Sequence, residues 1–94
     1  MRERSVSGTT TKIAILGGGE DELNVLSEFH RTPGVVIAGV YDRDPRAIAI
    51  EIAEIIGIPT FSNDSFLAPF LEADYIIVTN KRKVFEREID LLRK

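Results

Sequence analysis

The sequence predicts an α/β domain built on a half-size, doubly wound parallel sheet of about four strands with helices on both faces. Two observations predict this class. Short apolar runs alternate along the chain with longer stretches in which apolar residues recur at helical spacing. Runs that are apolar throughout are typical of parallel strands buried on both faces. Strict alternation with short connections implies right-handed crossovers, which place helices on both sides of the sheet.

The predicted elements follow one another from the first apolar run to the end of the chain. Each strand is a run of apolar, largely β-branched residues, and each helix has apolar residues every three or four positions. The second helix is rich in isoleucine over a wide arc, which predicts that it is largely buried. The predicted order is strand 13–16, helix 20–31, strand 35–41, helix 46–56, strand 58–61, helix 63–71, strand 73–79 and helix 82–93.

Proline, glycine and capping residues mark the ends of these elements. Pro33 and the glycine after it end the first helix. Asp44 followed by Pro45 predicts the start of the second helix, since a cap acceptor precedes proline at the first helical position. Gly57 then supplies the left-handed conformation that ends many helices. This connectivity predicts the strand order 3-2-1-4.

Length and composition limit the class of protein. The 94 residues suffice for one core, and we expect a flexible leader over residues 1–11 and a single domain over residues 12–94. The 12 basic and 15 acidic residues argue against nucleic acid or an anionic membrane as a partner. The sequence has no cysteine and one histidine, which excludes thiol chemistry and multi-histidine metal sites. No apolar run is long enough to span a membrane, and we expect a cytoplasmic protein.

A glycine-rich loop after the first predicted strand is the main candidate for a binding site. Gly17, Gly18 and Gly19 follow a strand and open a helix, which is the context that a dinucleotide-binding loop requires. Gly17 would permit the tight turn, and Gly19 would let the backbone approach a pyrophosphate at the helix N-terminus. Asp42 ends the second strand, where a carboxylate accepts a hydrogen bond from an adenosine ribose. The expected ligand is a nucleotide, with NAD as the candidate cofactor.

Acidic residues in the first turn of the predicted helix oppose this interpretation. Glu22 occupies the third position of the glycine fingerprint, so the close contact between helix and strand must be lost or remade. Glu20, Asp21 and Glu22 favour an empty helix N-terminus and would repel a bound pyrophosphate. The alternative is a loop that caps itself and binds nothing.

Basic residues follow the fourth and second predicted strands at the same edge of the sheet. Lys81, Arg82 and Lys83 would neutralise the phosphates of a ligand or pair with the acidic turn, and a solvated helix start is the alternative. Arg43 would meet a 2′-phosphate, although a surface arginine is the simpler interpretation. We predict no catalytic residue in this chain.

A resemblance to known proteins rests on four segments of the sequence, which are IAILGGG, GVYDRDP, GIPTF and ADYIIVT. They are similar to the amino-terminal domain of the glucose–fructose oxidoreductase and inositol dehydrogenase family, and to the Rossmann-like head domain of some bacterial sensor histidine kinases. The resemblance covers about residues 12–80 and implies a Rossmann-like nucleotide-binding fold. The resemblance implies that the cofactor-binding positions of the oxidoreductase family correspond in this sequence to Gly17, Gly19 and Asp42. Thr79 and Asn80 would then lie near the nicotinamide.

That family normally carries a Glu-Lys-Pro motif after a fifth strand, with its lysine near the nicotinamide, and this lysine has no counterpart here because Lys81 is followed by Arg82 rather than proline. We therefore predict a non-catalytic nucleotide-binding module, the sensory or regulatory part of a bacterial signalling protein that continues into further domains. Two alternatives remain: the truncated NAD-binding half of an oxidoreductase, and a structural or dimerising domain with a vestigial glycine loop. Because the fourth strand is predicted to lie at a sheet edge, we expect a symmetric homodimer that forms through this edge, the final helix, or both.

Overall fold

A computed structural model of the chain describes residues 10–79 and 82–93. Within these residues, strands and helices alternate in the predicted order. A short 3₁₀ turn, Asp64–Phe66, leads into the third helix. The elements are β1 (Thr11–Leu16), α1 (Glu20–His30), β2 (Val35–Tyr41), α2 (Ile48–Ile55), β3 (Thr60–Phe61), α3 (Leu67–Leu71), β4 (Tyr75–Ile77) and α4 (Glu86–Leu92).

The strands form one parallel sheet in the order β3-β2-β1-β4, which confirms the predicted fold class and strand order. β1 is central and pairs with β2 on one side and with β4 on the other. In the register, Leu16 lies beside Tyr41, and Tyr41 beside Phe61. All strands therefore end at the same edge of the sheet. We call this the carboxyl edge, formed by the last residues of the four strands and the loops that follow them.

The expectation of a single core is wrong: each face of the sheet carries its own core, because successive side chains of a strand point to opposite faces. α1 and α2 cover the first face, and α3 and α4 cover the second. The first core contains Ile13, Ile15, Leu26, Ile37, Val40, Ala49, Ile50 and Ala53. The second core contains Ala14, Leu16, Tyr41, Phe66, Phe70 and Phe85.

The second helix begins at Ile48, two residues later than predicted. The carboxylate of Asp44 accepts a hydrogen bond from the backbone N–H of Arg46 at 2.9 Å, so the expected cap forms a tight turn instead. The backbone N–H of Ala49 then donates to the carbonyl of Gly18 at 2.9 Å. The start of α2 is thereby attached to the glycine loop rather than capped by its own aspartate.

The prediction that the second helix is largely buried is wrong for part of its isoleucines. Ile48 and Ile56 are exposed, and Ile55 is 78% exposed, whereas Ile50 is buried. β3, beside which α2 packs, has only two residues. Because this outermost strand is so short, the sheet covers only the inner face of α2, and the isoleucines on its other faces remain exposed.

The C-terminal elements are shorter than predicted. β4 ends at Ile77, and α4 begins at Glu86 because Phe85 lies outside the helical region, with φ −111° and ψ 28°. The turn before α4 places the ring of Phe85 in the second core. In the described part of the chain, no helix is long and apolar enough to cross a membrane.

Candidate functional site at the carboxyl edge

The glycine loop leaves β1 through a backbone conformation that requires glycine. Gly17 has a φ of +119°, and its N–H donates to the carbonyl of Tyr41 at 2.7 Å. A Cβ atom on Gly17 would lie 3.1 Å from the Cδ atom of Glu22. A side chain at Gly17 would therefore meet both backbone strain and a tight contact.

Gly18 is enclosed between the end of β2 and the segment that precedes α2. Its N–H donates to the Oδ2 atom of Asp42 at 2.8 Å. A Cβ atom at this position would lie only 2.9 Å from the Cβ atom of Ala47. Close packing, rather than backbone conformation, accounts for this glycine.

Gly19 is the N-cap residue of α1, and its N–H donates to the Oε1 atom of Glu22 at 2.9 Å. The side chain of Glu22 turns back over the loop and is fully buried. Its second oxygen, Oε2, accepts a hydrogen bond from the hydroxyl of Thr79. The carboxylate of Glu22 thus lies in the region for which the sequence predicts a pyrophosphate, and it connects the first turn of α1 to the segment after β4.

Asp42 lies beside the glycine loop, as its place at the end of β2 predicts. Its Oδ2 atom accepts from Gly18, and its Oδ1 atom accepts from the backbone N–H of Asp44 at 2.9 Å. The residue is half-buried. Because each carboxylate oxygen has two acceptor sites, Asp42 retains the capacity to accept a hydroxyl of a ribose.

Arg43 points away from the glycine loop and binds the last helix. Its Nε and one terminal nitrogen each donate to the carboxylate of Glu88 at 2.7 Å, which gives a bidentate ion pair. The guanidinium also donates to the carbonyl of Val84 at 2.6 Å and lies 5.0 Å from the ring centre of Phe85. Arg43 is therefore engaged within the chain and does not lie free to meet a 2′-phosphate.

Glu88 is fully buried and accepts a third hydrogen bond, from the hydroxyl of Tyr41 at 2.7 Å. Burial alone would raise the pKa of Glu88, but the hydrogen bonds from Arg43 and Tyr41 outweigh it and hold this pKa below its ordinary value. The hydrogen bonds to Glu88 raise the pKa of Arg43. Burial, followed by the hydrogen bond to Glu88, raises the pKa of Tyr41 to about 12.

Glu88 is a residue of this edge that was not predicted from the sequence pattern. A signal exists in the sequence: Glu88 lies three residues after Phe85 and four before Leu92, on the apolar stripe of the last helix. A carboxylate on such a stripe needs a buried partner. Its partner, Arg43, is 45 positions away in the chain.

The remaining predicted site residues are only partly brought together. Thr79 lies at the glycine loop through its hydrogen bond to Glu22. Arg82 and Lys83 are exposed in the turn before α4, and Arg82 lines a groove of about 250 Å³ with residues of α4 and with Ile76 and Val78. Asn80 and Lys81 lie outside the described residues.

The described residues form a Rossmann-like α/β domain. The loop amides of Gly18 and Gly19 are occupied by the carboxylates of Asp42 and Glu22. Across residues 10–79 and 82–93, no group of three or more histidine, aspartate or glutamate side chains could hold a metal ion. No protein-family model matches the sequence, and no curated protein is significantly similar to it. The similarity to oxidoreductase and sensor-kinase domains is thus supported at the level of the fold alone.

Proposed function

We propose that this chain is a non-catalytic, nucleotide-binding regulatory module. The observation that carries the proposal is that two successive loop amides, those of Gly18 and Gly19, donate to carboxylates at 2.8 and 2.9 Å. They do so at the N-terminus of an eleven-residue helix, where the helix dipole favours negative charge. Anionic oxygens are the acceptors that a nucleotide's phosphates provide.

In this proposal, the two carboxylates have different roles toward the ligand. Asp42 accepts a ribose hydroxyl while it keeps its hydrogen bonds from Gly18 and Asp44, because its oxygens have unused acceptor sites. Glu22 and a phosphate both need the N–H of Gly19. Ligand binding is therefore linked to the contact between Glu22 and Thr79, which joins the loop to the segment after β4.

Thermal unfolding in the presence of NAD, NADP, ATP and coenzyme A tests this function. A ligand at 100 times its dissociation constant stabilises a protein by about 2.7 kcal/mol, which a melting curve resolves. We expect one of these nucleotides to stabilise the wild-type chain, and Asp42→Asn to weaken the effect. Arg46→Ala, at an exposed position in the following turn, is the matched control. Unchanged melting with all four compounds would contradict the proposal.

A second candidate function, dimerisation, is favoured by the exposed side of β4. Within residues 10–79 and 82–93, β4 pairs only with β1 and is an edge of the sheet. Tyr75, its first residue, is 64% exposed. Unpaired strand edges of this kind are usually protected or paired with another chain.

A further inference from the structure

We propose that Glu22 is a built-in competitor for the phosphate of a bound nucleotide. In this view, the nucleotide binds at the glycine loop only when the carboxylate of Glu22 is displaced from the N–H of Gly19. The inference rests on the proposed nucleotide-binding function and states how the same site is regulated. The side chain of Glu22 is fully buried, whereas the other acidic side chains at the start of α1 are exposed.

The geometry makes the two anions mutually exclusive. Oε1 of Glu22 lies 2.9 Å from the backbone nitrogen of Gly19, at hydrogen-bond distance. Its Cδ and Cγ atoms lie close above Gly17, at 3.1 and 3.2 Å from where a Cβ atom would stand. A phosphate that approached this turn would meet the carboxylate itself. One N–H cannot donate a well-aligned hydrogen bond to both groups at once.

Burial separates Glu22 from its acidic neighbours. Glu20 and Asp21 belong to the same helical turn, but both are exposed. Water and salt screen exposed charges, whereas a buried charge is screened far less. We therefore expect Glu22 to oppose phosphate binding strongly, and Glu20 and Asp21 to oppose it weakly.

Displacement of Glu22 has a consequence beyond the loop. The hydroxyl of Thr79 donates to Oε2 of the same carboxylate. A nucleotide that displaces Glu22 from Gly19 therefore disturbs the same carboxylate that connects α1 to the segment after β4. This contact couples nucleotide occupancy to the connection between β4 and α4.

The inference is tested by measuring NAD affinity with titration calorimetry for the wild type, Glu22→Gln, Glu22→Ala and Glu20→Gln. Glu22→Gln removes the charge but keeps an acceptor for Gly19, and Glu22→Ala removes both. We expect Glu22→Ala to bind NAD at least about tenfold more tightly than the wild type, with Glu22→Gln in between. The exposed control, Glu20→Gln, should change the affinity by less than about threefold. Equal gains for Glu20→Gln and Glu22→Gln would overturn the inference, because they would indicate a general charge effect.

Thr79→Val removes one hydrogen bond to the carboxylate while keeping the shape of the side chain. We expect a smaller gain in NAD affinity than for Glu22→Ala, and urea unfolding of each variant establishes that it is folded. If the wild type binds NAD and neither Glu22 variant binds more tightly, the inference is wrong while the proposed function stands. If no variant binds NAD, the inference is wrong, and if the wild type also binds none of the four nucleotides, the proposed function is wrong as well.

Discussion

Arg43 and Glu88 join the end of β2 to the last helix through two hydrogen bonds of 2.7 Å each. The Glu88 side chain is fully buried, while that of Arg43 is 49% exposed. The pair therefore lies at the boundary between the second core and solvent. α4, only seven residues long, is too short to be stable alone and depends on contacts such as this one.

Arg43→Ala should lower the free energy of unfolding by about 2 kcal/mol. The change leaves the buried carboxylate of Glu88 without its bidentate partner, although water that enters from the exposed side offsets part of the loss. Arg31→Ala is the matched control, because its ion pair with Glu28 is exposed on both sides and should contribute less than about 1 kcal/mol. Urea unfolding measures both values. Equal losses would show that the Arg43–Glu88 pair has no special role.

The stability of the chain should fall in acid partly because of Glu88. Its folded pKa is lower than the ordinary value of 4.5. Its ionised form therefore stabilises the folded state above about pH 4.5, and this contribution is lost as the pH falls through the folded pKa. Glu88→Gln lacks this contribution. The difference in unfolding free energy between wild type and Glu88→Gln should be largest at neutral pH and shrink below about pH 4. A difference that is independent of pH would contradict the assignment.

Phe85→Ala should destabilise the chain by about 3 kcal/mol, because it opens a cavity in the second core. The ring of Phe85 is 2% exposed and packs edge-on against Tyr41, with ring centres 6.1 Å apart. Val84→Ala is the control, since Val84 is adjacent in sequence but 54% exposed. Chemical denaturation should show little change for Val84→Ala. A similar loss in both variants would mean that Phe85 does not anchor α4.

Much of this fold could be predicted from local patterns. The alternation of buried strands and helices gave the sheet order, and the glycines after the first strand located the loop. Asp42 meets Gly18 because both follow neighbouring parallel strands, which end at the same edge. Such relations depend only on the order of strands and helices along the chain, so they can be predicted from a single sequence.

Other features depend on contacts that a local pattern does not contain. Glu20, Asp21 and Glu22 are equivalent as a run of acidic residues, yet only Glu22 is buried. Its side chain turns inward because Gly17 leaves space above β1 and because Gly19 and Thr79 supply donors. Thr79 is 57 positions away from Glu22, so the pairing arises only in the folded sheet.

The proposed nucleotide site should prefer NAD to NADP. Asp42 would accept a hydrogen bond from a free 2′-hydroxyl and repel a 2′-phosphate, and Arg43 is held by Glu88. A charge-assisted hydrogen bond of this kind corresponds to about tenfold or more in affinity. Calorimetry with the two cofactors measures the preference. Asp42→Asn should reduce it and Arg43→Ala should leave it unchanged, whereas tighter binding of NADP by the wild type would contradict the role of Asp42.

Within residues 10–79 and 82–93, the outer edge of β4 pairs with no other strand. We expect the chain to form a symmetric dimer in which β4 pairs with its copy, because this edge is short and apolar and carries no charged side chain over Tyr75–Ile77. Tyr75→Lys should shift the chain toward monomer, since an edge lysine opposes strand pairing. Tyr75 is 64% exposed, so its replacement should leave the free energy of unfolding of the monomer within about 0.5 kcal/mol. Ile55→Lys controls for the added charge. Ile55 is exposed on α2, which packs beside β2 and β3, at the opposite side of the sheet from β4. Light scattering over a range of concentrations measures the mass, and a monomeric wild type at the highest concentration would contradict dimerisation through this edge.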